Sequence, residues 1–282
     1  MNDYNKKIKL YREHFPHRQE YLFNHFLLKG YQLTTLSSIT DEFFPDVLSA
    51  KLHLGMLITL FDDFADHPNF NRPQLLDKLY QLPFFHRNST NIALDEMTQT
   101  DCLFSNAVIG LAINICEDMI KSLSSLPHYA RYSELFVFDL KQFYQCNRFF
   151  ESLRKYPELK NLTEIQYYSS YNMGIVLAGM MDVMASPNFD MTELGISREL
   201  FILAQRYAKI SNNIITFDRE ISEQDYSSEL LIVSEDHALK EQQMLLQKMI
   251  AMKEKVKSFD AMTYIESMKQ LHHLHEESRG VI

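Results

Sequence analysis

The chain has 282 residues, 46% of them hydrophobic, enough apolar material for one large domain or two small ones with a sizeable core. Its formal charge of −9, with no cluster of lysines and arginines, argues against nucleic acid as a partner, because phosphate backbones are held by concentrated positive charge. Three cysteines (Cys102, Cys116 and Cys146), an odd number without CxxC spacing, suggest neither a disulfide framework nor a zinc site and read as buried helix positions.

The start of the chain is polar and lacks the apolar core of a leader peptide. The longest apolar run, 173–181, is too short to cross a bilayer, so the expectation is a reduced, cytoplasmic protein with no stable membrane insertion. Seven glycines are few, and eight prolines fall mostly between periodic segments, the punctuation of a helical protein. Proline drives its predecessor out of the helical region. Breaks are therefore expected at Phe15-Pro16, Phe44-Pro45, His67-Pro68, Leu82-Pro83, Leu126-Pro127, Tyr156-Pro157 and Ser186-Pro187. In chain order, helices are predicted over 46–65, 101–126, 131–153, 163–184, 199–221 and 236–256. The first places Leu48, Leu52, Met56, Leu57 and Leu60 on one face; the fifth does the same with Leu200, Leu203, Tyr207, Ile210 and Ile214. No strand pattern, repeat or long linker competes, which predicts a single all-α domain over 1–282. The tail His272-His273-Leu274-His275 reads as a histidine-rich surface helix end in preference to a metal site, since no cysteine or carboxylate completes a set.

Two acidic constellations carry chemistry. Asp62-Asp63-Phe64-Ala65-Asp66 closes the 46–65 helix. At about 100° per residue, Asp66 comes only about 40° round from Asp62, so two like charges share a face. A hard divalent cation with oxygen ligands would relieve them; a solvated acidic helix end is the alternative. Further on, Asn212, Thr216 and Glu220 recur every fourth residue and form one oxygen-bearing stripe, with Arg219 beside Asn212 and Asp218 turned away. An amide, a hydroxyl and a carboxylate suit Mg²⁺ when phosphate oxygens complete the shell, and Arg219 suits a diphosphate. Otherwise the stripe is a solvated face, for which Asn and Thr are poor helix-interior choices.

With these two motifs the chain resembles the class I terpene synthases of the single α-domain microbial type. There a DDxxD motif and an NSE motif of form (N/D)DxxSxxxE bind three Mg²⁺ ions. Residues 62–66 match the first motif in full. Asn212, Thr216 and Glu220 match the second, with Asn213 where the family usually has aspartate. The resemblance implies an antiparallel helical bundle of the class I isoprenoid synthase type with a central active-site cavity. It also implies Mg²⁺-dependent ionisation and cyclisation of farnesyl or geranylgeranyl diphosphate, with release of diphosphate. The metal ligands would be Asp62, Asp66, Asn212, Thr216 and Glu220, with Arg219 on the diphosphate.

Two family features are incomplete. The stretch 166–174, where the family places a diphosphate-sensing arginine before a glycine, has none, so that either another base such as Arg154 or Arg148 serves or diphosphate is sensed differently; and Arg279, a candidate for the diphosphate, lacks the tyrosine that accompanies it in the family. Among 20 Phe and 15 Tyr, the candidates for stabilising a carbocation by their ring faces include Phe61, Phe64, Phe149, Tyr168 and Tyr171, with ordinary core positions as the alternative. Met180 and Met181 are candidates for the pocket floor. Gly174 is a candidate for a helix break that aims a carbonyl at the cation. A chain-elongating prenyltransferase and a non-catalytic helical binding protein with a degenerate site are the alternatives. The oligomeric state is left open, with a homodimer among the options.

Overall fold

The computed structural model describes residues 2–66, 103–223, 228–279 and 281; the side chains of 2, 64–66, 103–106 and 222–223 lie outside the description. The expected breaks at Pro68 and Pro83 fall outside it, as does Cys102. Ten α-helices, and no strand among the described residues, make the fold all-α.

Helix α1 (Asn2–His14) stops one residue before Phe15-Pro16. A π-helical stretch, Leu22–Leu27, runs directly into α2 (Leu28–Leu33). Helix α3 (Phe44–Asp66) carries Pro45 in its first turn, where the missing N–H costs nothing. Then come α4 (Leu103–Ser124), α5 (Tyr129–Lys155), α6 (Leu162–Tyr168), α7 (Ile175–Ala185), α8 (Leu194–Glu223), α9 (Glu235–Met252) and α10 (Ala261–Glu277). Starts are set by side-chain caps: Asn161 accepts Glu164 N–H at 2.9 Å, and Asp260 accepts Thr263 N–H at 3.0 Å, each satisfying a donor the helix leaves open.

The continuous helix expected over 163–184 is a correction. It is broken into α6, a 3-10 turn at Ser169–Met173, and α7, with Gly174 between them at φ +66°. That left-handed conformation suits glycine, and a Cβ there would lie 2.5 Å from Ile58 Cδ1.

Helices α3 and α4 pack extensively on each other; α8 packs on α7, α9 and α10; α10 also meets α2. The interface seams are filled by residues such as Leu57, Leu60, Ile115, Met181, Phe201 and Met268, all buried. Full burial of such side chains contributes about 1.5–3 kcal/mol each. Cys116 and Cys146 are buried within this interior. By length and composition α3 could cross a membrane, but 67% of its apolar window is buried inside the bundle.

Among the described residues, buried ion pairs centred on Arg198, Arg206 and Lys51 pin the helices. Arg198 on α8 meets both oxygens of Asp139 on α5 at 2.7 Å. Arg206 bridges Glu229 and Glu241. Lys51 on α3 meets Asp182 on α7 at 2.5 and 2.7 Å, with both side chains essentially inaccessible.

Candidate active site

A cavity of about 270 Å³ opens among the π-helical stretch, α2, α3, the break at Gly174, α7, α8 and α10. Helix α3 contributes Gly55, Ile58, Thr59 and Asp62, and α8 contributes Tyr207, Ala208, Ser211, Asn212, Thr216 and Arg219. Each set is one face of its helix, spaced by three and four residues. Most of the wall is apolar: Leu22, Leu27, Ile175, Ala178, Met268 and Leu271. Polar groups gather where α3 and α8 end, so Asp62 and the Asn212 stripe, 150 residues apart, share one chamber.

The stripe is knitted along α8. Thr216 Oγ1 lies 2.7 Å from the Asn212 carbonyl and 2.6 Å from Glu220 Oε1, and its single proton goes to one of the two. Glu220 is 4% exposed and sits behind the cavity wall; among the described residues nothing hydrogen-bonds its buried Oε2. Asn213, fully buried on the flank of the stripe, likewise finds no partner among the described residues for its amide oxygen or nitrogen. Buried carboxylate and amide oxygens without partners are expensive. A cation with oxygen ligands would satisfy them. Among the described residues no group of three His, Cys, Asp or Glu converges on a point; the donors here are mixed, with amide and hydroxyl oxygens beside the carboxylates.

The adjacent aspartates do different things. Asp62 lines the cavity, whereas Asp63 is 3% exposed and faces the N-terminal segment. Asp63 Oδ2 accepts Tyr11 O–H at 2.5 Å; Oδ1 accepts Arg18 Nε–H at 2.7 Å and has His17 Nε2 at 3.2 Å. It is an anchor for α1 and the turn after it. The structure places Asp66 in the last turn of α3, with its side chain, like that of Phe64, outside the described residues.

The remaining expectations separate. Phe61 is buried in the core against Phe143, off the cavity wall. Phe149, Tyr168 and Tyr171 belong to a small separate cluster around Cys146 and Ile165, Phe149 stacking on Tyr168 with centroids 4.7 Å apart. The cavity rings are instead Phe26, Tyr31 and Tyr264, from elements far from the motifs in sequence, and Tyr207, which precedes Asn212 on α8 itself. Met180 and Met181 are fully buried core, while Met173 and Met268 reach the cavity. Arg154 lies in the last turn of α5 and Arg148 pairs with Glu151 at 2.7 Å; neither lines the cavity. Arg279 makes an exposed pair with Asp218 at 3.1 Å. Gly174 does line the cavity, but its carbonyl accepts Ala178 N–H at 2.9 Å, continuing α7 and not aimed at a ligand.

The histidine tail is the largest correction. Only His273 is exposed; His272 and His275 turn inward to the cavity wall, His272 hydrogen-bonded to Ser211 and His275 against Phe26 at 5.3 Å between centroids. The spacing of three puts both on one face of α10. Burial, then the nearby charges of Arg219 and His272, push the His275 pKa down to about 4, so its ring is neutral at neutral pH. The unfolded chain takes up that proton near 6.5 and the folded one does not until about 4. Stability therefore falls as pH drops from 6.5 towards 4, by about 2 kcal/mol after allowance for partial solvation. Thermal unfolding of His275→Gln should be flatter than wild type across that window; an unchanged profile would remove His275 as the cause.

Compared with protein families, curated proteins and solved structures, the chain has no match.

Proposed function

We propose that this protein is a Mg²⁺-dependent class I terpene cyclase acting on an acyclic isoprenoid diphosphate. The observation that carries this reading is the cavity itself: an apolar, ring-bearing chamber whose polar end is formed by Asp62 on one helix and by Asn212, Thr216 and Arg219 on another. An amphiphile with a branched apolar tail and an anionic head has that distribution of surface. Asp62, Asn212, Thr216 and Glu220, with Asp66, would hold the metal, and the unsatisfied Glu220 Oε2 fits a role as ligand. Bound Mg²⁺ would supply charge neutralisation at the diphosphate.

The protein's own groups do the rest. Arg219 donates hydrogen bonds to the diphosphate. As the allylic C–O bond breaks, its electron pair leaves with the diphosphate, and the carbocation stays among Phe26, Tyr31, Tyr207 and Tyr264, whose ring faces stabilise positive charge. The aliphatic wall excludes water until a chain double bond closes the ring and proton loss ends the reaction.

Incubation with geranyl, farnesyl or geranylgeranyl diphosphate and Mg²⁺ should yield cyclic hydrocarbons by mass spectrometry. A longer diphosphate formed only when isopentenyl diphosphate is added would assign chain elongation instead. Binding of diphosphate with none of the substrates consumed would leave a binding protein and end the cyclase reading.

A further inference from the structure

We propose that Arg18 is the diphosphate receptor of this site, acting where the arginine is missing from 166–174; this builds on the diphosphate-binding reading above and assigns the leaving group's grip to the N-terminal segment. Arg18 lines the cavity with Asp62 and Arg219, although it lies in the turn between α1 and the π-helical stretch. That turn is anchored to the core: Arg18 N–H is accepted by the Phe15 carbonyl at 3.1 Å, and Phe15 is fully buried against Tyr11.

The way Arg18 is held matters more than its presence. A buried guanidinium that closes an ion pair frequently gives two parallel N–H groups to both carboxylate oxygens, as Arg198 does with Asp139. Arg18 does not. Tyr11 occupies Asp63 Oδ2, so Asp63 takes only the Nε–H of Arg18, through Oδ1. A guanidinium has five N–H donors, so four remain on the two terminal nitrogens, and among the described residues no hydrogen-bond acceptor meets them. The side chain is 25% exposed, on the cavity side. Asp63 thus fixes the plane of a planar fork and leaves its open end towards the chamber, the geometry that matches two oxygens of a phosphate. Burial disfavours the charge, but Asp63, Tyr11 and Asp62 outweigh it and raise the Arg18 pKa, so the fork stays cationic. With Arg219 on α8, two arginines line the cavity that Asp62 also lines.

The test is calorimetric binding of inorganic diphosphate with Mg²⁺, together with the rise in Tm that it produces. Two variants are compared with wild type. Arg18→Lys keeps a charge for Asp63 but has no fork, and Arg18→Gln/Asp63→Asn removes the pair together so that no buried carboxylate is stranded. Both should bind at least about tenfold more weakly, with a reduced ligand-induced Tm shift. Their Tm without ligand should stay close to wild type. Affinity within about twofold of wild type in the folded double variant overturns the proposal; if that variant does not fold, the same result in Arg18→Lys overturns it. Absence of both binding and Tm shift in the wild-type protein would instead overturn the underlying diphosphate reading, a distinguishable failure.

Discussion

On the proposed reaction, Asn212→Ala and Glu220→Ala should each lower turnover of an allylic diphosphate on the order of 10²–10³-fold or more while the protein remains folded, because Asn212 offers an oxygen at the polar end of the cavity and Glu220 one just behind its wall, where leaving-group charge would develop. The two readouts are steady-state product formation and thermal unfolding of the same preparations. Retention of the fold follows from the local structure. Alanine at 212 is a better helix former than asparagine, and the Thr216 hydroxyl bonds the backbone carbonyl of residue 212, which the substitution leaves in place. At 220 the variant loses one hydrogen bond from Thr216 but also removes a buried carboxylate oxygen that has no partner, and these oppose each other. Loss of fold in both variants would assign the stripe to structure; full turnover in either would remove that residue from the chemistry.

The stripe was legible because it lies on one continuous helix, where a spacing of four converts directly into a shared face. The same holds for the proline breaks after Phe15, Leu126, Tyr156 and Ser186, all of which fall between helices or at their ends. What the sequence could not convey was which residues face each other across the bundle. Tyr168 and Tyr171 lie close to Gly174 along the chain, yet α6 and the 3-10 turn direct them, with Phe149 of α5, to a separate cluster. The rings that line the cavity come from the π-helical stretch, α2, α8 and α10. His272 and His275 carried a helical spacing, but the sign of their face, inward or outward, is set by α10 packing on α2 and α8.

Arg18 offered no signal at all: one basic residue in an aperiodic turn, given meaning only by Asp63, 45 positions later. The aspartate pair shows the same limit from the other side. Neighbours on a helix point about 100° apart. One of two adjacent aspartates must therefore leave the cavity, but only the packing of α1 decides that Asp63 is the one that turns to Tyr11 and Arg18.

The buried pair Lys51–Asp182 holds two cavity walls together, since Lys51 belongs to the helix that carries Ile58 and Asp62, and Asp182 to the helix that starts at the Gly174 break. Asp182 also accepts Leu36 N–H at 3.2 Å, and Lys51 donates to Thr35 Oγ1 at 3.1 Å, so the loop after α2 depends on it too. Burial pushes the Asp182 pKa up to about 6 even with the lysine beside it. Lys51→Met, which leaves that carboxylate alone in the interior, should cost about 3–5 kcal/mol. For a domain of this size that lowers Tm by roughly 10 °C. Lys51→Met/Asp182→Asn should recover most of the loss, because no charge is then stranded and the amide oxygen still accepts Leu36 N–H. The pH dependence identifies the cause. A carboxyl whose folded pKa lies above its unfolded value near 3.8 binds more protons when folded, and removing Lys51, which lowers the Asp182 pKa, raises it further, so Lys51→Met should regain stability as pH falls from neutral towards 4. The double variant should show no such recovery. A loss in Lys51→Met that persists unchanged at pH 4 would mean that the lysine acts through packing of its methylene stem and not through the charge of Asp182.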